Sequence, residues 1–197
     1  MRPPSYRALA TAAALSAAAA APATAEILSA DEYGFTLGIS IETGLSPDAA
    51  FVALSRVEAW WDPDHTYSLN SANLSLEMTA GGCFCENWEG GSIMHATVAQ
   101  IRGRRHMRWT GGLGPLQDLG VSQVHDWTVE PFGQGSRITY DTRVSGNPSD
   151  DLASLAPIVE TVMAGQLARL AAYSAGFAAG PASAGAPAAE EPFFPTP

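Results

Sequence analysis

Three groups of residues in this 197-residue chain have the types and spacing to do chemistry. The first centres on His125. Gly133-Gln134-Gly135 reads as a turn joining a strand over Val124–Pro131 to one over Ser136–Ser145. If Val129 pairs with Ile138, alternation puts His125, Trp127 and Val129 on one face, opposite Ile138, Tyr140 and Thr142. Asp126, Thr128, Glu130, Asp141 and Arg143 take the other face. The apolar face belongs inside, so His125 points inward. There it is either a polar anchor or general base for a ligand, or a core histidine satisfied by a backbone group or Thr142.

The second group is Glu86 and His95. If Trp88 pairs with Ile93 across Glu89-Gly90-Gly91, Glu86 faces His95 across the hairpin. A carboxylate against an imidazole raises the histidine pKa and orients the ring for proton transfer. On a concave face the pair would meet a ligand beside Phe84 and Trp88. On a convex face it would be a solvated contact worth under about 1 kcal/mol. A slip of one residue exchanges the two faces.

The third is Cys83 and Cys85, both on one side of the same expected strand. Ideal strand geometry separates their Cα atoms by about 6.6–6.8 Å, the long edge for a disulfide. They read as two small reduced thiols in the interior, with a strained redox pair as the alternative. A metal would need a third ligand, and alternation keeps His95 away from both, so neither a metal site nor a cofactor is expected. Other chemistries are missing. Gly111-Gly112-Leu113-Gly114 runs into Pro115 rather than a helix, so it reads as a turn and not a phosphate cradle. The sequence has no Gly-x-Ser-x-Gly and no His-Glu-x-x-His. It has no Lys, which excludes Schiff-base catalysis through lysine.

The elements that must position these groups follow from periodicity. Phe35, Leu37, Ile39 and Ile41 alternate within Tyr33–Thr43, the mark of a half-buried strand. Ser46-Pro47-Asp48 starts a short helix, with a capping hydroxyl, proline at the first position and an acid near the positive end. A second helical turn covers Val57–Trp61 and stops at Asp62-Pro63-Asp64. Trp60 and Trp61 cannot both face inward on a helix, so one should be exposed or lip an entrance. Asp62, Asp64 and His65 read as turn and surface residues. Strands follow over Asn73–Met78, Cys83–Trp88, Ile93–Ile101 and His106–Thr110, then the hairpin that carries His125. Leu152, Leu155, Val159, Val162, Met163, Gln166, Leu167 and Leu170 form one stripe of a long C-terminal helix. Pro157 should set its start at Ala156 or Pro157.

Composition bounds the rest. Ten Arg stand against 20 Asp and Glu, a net charge of −10, which argues against a general nucleic-acid binder. Hydrophobic residues make up 46%, too many for a disordered acidic chain. Arg2 and Arg7, the uncharged Ala-rich run over 8–21 and Ala23-Thr24-Ala25 have the order of a secretory signal cleaved after Ala25. A periplasmic or secreted location is therefore expected. No later stretch is long and apolar enough for a transmembrane segment. Residues 178–197 are Ala/Pro-rich and read as a disordered tail, with Phe193-Phe194 a candidate for weak docking on a protein partner. Residues 26–177 remain as a single domain.

One strand, two short helices, a meander of strands and a long amphipathic helix pack naturally as α+β, with a curved antiparallel sheet wrapped around the helix. This order resembles the SRPBCC or START-like superfamily. So do the segments Gly81-Gly82-Cys83-Phe84-Cys85-Glu86, Gly111-Gly112-Leu113-Gly114-Pro115-Leu116-Gln117 and Gln166-Leu167-Ala168-Arg169-Leu170. The resemblance is to bacterial polyketide cyclase/dehydrase-like and heat-shock-ATPase-activator-like proteins. It implies the helix-grip fold around an apolar cavity, and it carries over no catalytic set. A secretion signal argues against a cytosolic co-chaperone role. The reading is therefore a binder of a small hydrophobic, ring-containing molecule in a cavity of about 300–1,000 Å³. Phe84, Trp88, Trp109, Trp127, Tyr140 and Met163 would form its walls, and His125 its polar anchor. The alternative is a cyclase-, dehydratase- or hydrolase-like enzyme using His125 or the Glu86–His95 pair as acid and base.

Overall fold

Strand alternation is obeyed where it is needed to build the core. The computed structural model describes residues 23–178. In β2 (Gly34–Thr43), Phe35, Leu37, Ile39 and Ile41 are buried and the residues between them are half-buried. The other strands are β1 (Thr24–Asp31), β3 (Leu74–Leu76), β4 (Cys83–Trp88), β5 (Gly91–Arg102), β6 (His106–Thr110), β7 (Ser122–Phe132) and β8 (Gly135–Ser145). They form one antiparallel sheet in the order β1-β2-β8-β7-β6-β5-β4-β3. The helix α3 (Leu152–Ala178) packs on it, and α1 (Pro47–Ser55) and α2 (Val57–Trp60) close one side.

The β7–β8 register is the expected one, with Val129 opposite Ile138, Trp127 opposite Tyr140 and His125 opposite Thr142. Strand β1 was not expected. It lies on the sheet edge and pairs only with β2, with Ala25 and Ile27 half-buried and its last residues exposed. The expected cleavage after Ala25 falls inside it. The rest of the expected signal and the Phe193-Phe194 tail lie outside the described residues.

Two helix expectations need correction. Helix α2 ends at Trp60, and Trp61 is extended (φ −62°, ψ 143°). The break turns both indoles inward, so neither Trp60 nor Trp61 is exposed (2% and 6%), and Trp61 borders the pocket described below, the second of the two expected placements. Helix α3 starts at Leu152, a turn earlier than Pro157 suggested. Proline removes one N–H from the ladder, but Leu152 and Ala156 are fully buried against Phe35, Leu37, Leu116 and Val144. That burial holds the first turn in helical geometry.

Candidate functional site

The aromatic residues of the concave face pack on one another. Trp127 lies 4.5 Å from Tyr140 and 5.3 Å from Trp109 between ring centroids. Phe84 lies 5.0 Å from Trp109, and Trp60 reaches Trp127 at 6.3 Å. This corrects the expected site. Phe84, Trp109, Trp127 and Tyr140 are buried core, and none is on the wall of the pocket described next. Alternation placed them on the inner face, but it does not say whether that face is hollow. Trp88 is also off the wall. It folds over the hairpin turn against Gly91, where any side chain would collide with its ring.

A pocket of about 550 Å³ opens at one end of this packed interior, on the usual scale of small-ligand sites. Helix α3 supplies Leu155, Ile158, Val159, Val162 and Met163. The segment after α2 supplies Trp61, Asp64, His65, Thr66 and Tyr67. The loop between β6 and β7 supplies Leu113, Gly114, Pro115, Leu116 and Asp118, and β7 adds Gln123. Of the expected walls, only Met163 is among them. Asp64 and His65, expected as surface residues, are exposed and stand at the rim. From α3, Leu155, Val159, Val162 and Met163 belong to the apolar stripe expected from the sequence, and Ile158, outside that stripe, joins them on the wall. The loop residues carry no periodicity.

The loops that form the wall are held by buried polar side chains. Glu86 is fully buried, and its Oε1 accepts the Ser68 N–H at 2.6 Å. Its Oε2 accepts the Tyr67 N–H at 3.0 Å and lies 3.1 Å from His95 Nε2. Burial pushes the carboxyl pKa up. The hydrogen bonds from Ser68, Tyr67 and His95 outweigh that, and the net position is below the usual value. His95 is shifted downward because burial outweighs the attraction of Glu86. The pair meets by a route other than the expected register. Trp88 pairs with Gly91, Glu86 pairs with Ile93, and a bulge opposite Phe84 and Cys85 delivers His95 to Glu86.

His125 plays the same part on the other loop. Its Nε2 lies 2.9 Å from the Gly111 carbonyl, so that nitrogen carries the proton. Its Nδ1 then accepts from the Tyr140 hydroxyl at 2.8 Å. Burial lowers its pKa to about 4. His125 is thus a satisfied core histidine, held by a backbone group and by Tyr140 rather than by Thr142. Gly111 has φ +141° and approaches Ala96 and His95 too closely to admit a side chain. Gln123 holds the next stretch, accepting the Leu113 N–H at 3.1 Å and donating to Thr142 at 3.1 Å. From the helix, Gln166 Oε1 accepts the Asp62 N–H at 2.8 Å, just after Trp61. Sequence reasoning gave Gln166 no role beyond its place in the stripe and did not consider Gln123.

Cys83 and Cys85 are joined by a disulfide, which corrects the reduced-thiol reading. The Cα atoms lie 5.3 Å apart, shorter than ideal strand geometry gives and inside the disulfide range, beside the point where His95 bulges from the partner strand β5. Among the described residues no group of three His, Cys, Asp or Glu could hold a metal ion. None of the described helices is long and apolar enough to cross a membrane.

No family model matches the sequence, and no curated protein matches it. Solved structures do. A protein of Nitrosomonas europaea aligns over 75% of this chain and 97% of its own, with TM-score 0.51 and 13% identity. One from Rhodobacter sphaeroides aligns over 78% and 99%, with TM-score 0.52 and 14% identity. The di-domain ARO/CYC StfQ from the steffimycin biosynthetic pathway aligns over 75% of this chain, with TM-score 0.52 and 12% identity. The match spans 53% of StfQ's length. The chain has the START-like helix-grip fold. At these identities the likeness establishes architecture, and function must be argued from the pocket.

Proposed function

We propose that this protein reversibly binds a small hydrophobic molecule in the pocket between α3 and the two loops. The observation that carries the reading is the contrast between a filled sheet interior and an open apolar pocket beside it. Trp61, Leu113, Leu116, Leu155, Val159, Val162 and Met163 line about 550 Å³, enough for a ring-containing molecule. The buried polar side chains of the wall, Thr66 and Gln123, are engaged within the protein, so the wall offers apolar contact more than directed hydrogen bonds.

The test is titration with the neutral probe N-phenyl-1-naphthylamine, following probe emission and Trp61 quenching. Saturable one-to-one binding is expected, and Val159→Trp should abolish it by filling the pocket while leaving the fold intact. Absence of binding up to the probe's solubility, or unchanged binding in Val159→Trp, refutes the reading.

A cyclase-type reaction is the second reading, supported by the fold shared with StfQ. Proton transfer needs a titrating group on the wall. The wall carries the side chains of His65, Asp64 and Asp118, whereas His125, Glu86 and His95 are off it. We further propose export to the periplasm or exterior. The order of features in residues 1–25 and the Cys83–Cys85 disulfide support it. Mass spectrometry of the mature N-terminus tests it, with Glu26 expected as the first residue.

A further inference from the structure

The pocket wall contains no Arg, and the chain contains no Lys. Its one basic side chain is His65, whose Nδ1 lies 3.5 Å from Asp62. Two carboxylates, Asp64 and Asp118, stand exposed on the lining, and neither side chain pairs with another described residue. The buried polar groups of the wall are already engaged. Thr66 Oγ1 donates to the Pro63 carbonyl and accepts from the Asn70 N–H. Gln123 is held by Leu113 and Thr142. A polar head has no free partner in the depth of the pocket, so it must sit at the rim, among carboxylates and the half-exposed Tyr67 ring.

We propose that the pocket takes an amphiphile with an apolar body and a cationic, amine-type head, and disfavours carboxylate-headed molecules. This rests on the pocket being a hydrophobic binding site. An ammonium head at the rim meets Asp64 and Asp118 and can lie over an aromatic face. A carboxylate head meets two carboxylates there against the single imidazole of His65, which already lies 3.5 Å from Asp62.

Competition against N-phenyl-1-naphthylamine by decylammonium, decanol and decanoate at pH 7 and low salt tests the proposal. The three share one hydrocarbon body. Decylammonium should displace the probe about tenfold more tightly than decanoate, with decanol between, and 0.5 M NaCl should compress the series. In Asp64→Asn/Asp118→Asn the gap should fall to about twofold, with decanol unchanged. Decanoate binding as tightly as decylammonium overturns the charge inference while leaving the hydrophobic pocket standing. A gap that persists in the double variant overturns the assignment to these two carboxylates. Failure of the probe and all three competitors to bind overturns the pocket reading and this inference with it.

Discussion

Replacing His125 with Gln should make the protein markedly less sensitive to acid, and the size of the effect follows from the site. The imidazole is fully buried, donates from Nε2 to the Gly111 carbonyl and accepts at Nδ1 from Tyr140. A proton on Nδ1 would add a charge with no solvent around it and oppose the Tyr140 O–H. Burial therefore holds the folded-state pKa at about 4, against about 6.5 in an unfolded chain. The unfolded state binds the extra proton first, so stability is full above pH 6.5 and is lost as pH falls toward 4. Each pH unit between these values is worth about 1.4 kcal/mol, so about 3 kcal/mol is at stake.

Glutamine carries one donor and one acceptor at nearly the spacing of the two ring nitrogens, and it does not titrate. His125→Gln can keep both contacts, at a cost of about 1 kcal/mol at pH 8 for the lost ring volume. Urea unfolding from pH 8 to pH 4 measures the difference. The wild-type curve should fall more steeply by about 3 kcal/mol over that range, and the two proteins should cross near about pH 6, where the wild type has lost the ~1 kcal/mol by which it leads at pH 8. Parallel curves refute the reasoning, because a fully buried, unprotonated imidazole cannot be silent in this window. His95 and Glu86 add acid lability of the same sign and remain in both proteins, so the comparison isolates His125.

Glu86→Gln should cost about 2–4 kcal/mol, because an amide N–H₂ must face N–H donors from Tyr67, Ser68 or His95; chemical denaturation at pH 7 measures it. The same variant should remove a component of acid unfolding below about pH 4.5 in wild type, where the carboxylate with a lowered folded pKa is finally protonated. Gln166→Ala should cost about 1–3 kcal/mol by leaving the Asp62 N–H without its acceptor, and it should shift Trp61 emission in the free protein. Reducing the Cys83–Cys85 disulfide should cost no more than about 1–2 kcal/mol, since residues 83–85 close so short a loop; melting with and without reductant measures this.

Periodicity carried most of the fold. The β7–β8 register could be read because a Gly-flanked turn pins it and both strands alternate cleanly on one buried face. Edge strand β1 was invisible because its inward residues are few and small: Ala25 and Ile27 are half-buried and alternate over only the first half of the strand, and Ala25 falls within the segment read as a secretion signal. The bulge at His95 was invisible because one extra residue changes no composition, yet it decides that Glu86 meets His95. Alternation also reports only which way a side chain points. Trp109, Trp127 and Tyr140 point inward as expected, but the volumes of five large rings fill the sheet's grip, and the open space moves to the end of the helix where Leu155, Ile158 and Val162 have no aromatic partner from the sheet.

That displacement explains the buried polar residues. A pocket walled by loops rather than by a sheet needs its walls fixed, because loop backbone has no ladder to hold it. Each wall here is tied to a rigid element by a buried side chain. Glu86 on β4 ties Tyr67 and Ser68, His125 and Gln123 on β7 tie Gly111 and Leu113, and Gln166 on α3 ties Asp62. A ionisable group serves this purpose only while it keeps one protonation state, and burial enforces that for both histidines by lowering their pKa values. The downward shifts follow from the burial that anchoring requires, and the residues most like catalysts in sequence are the ones that fix the loops around the pocket.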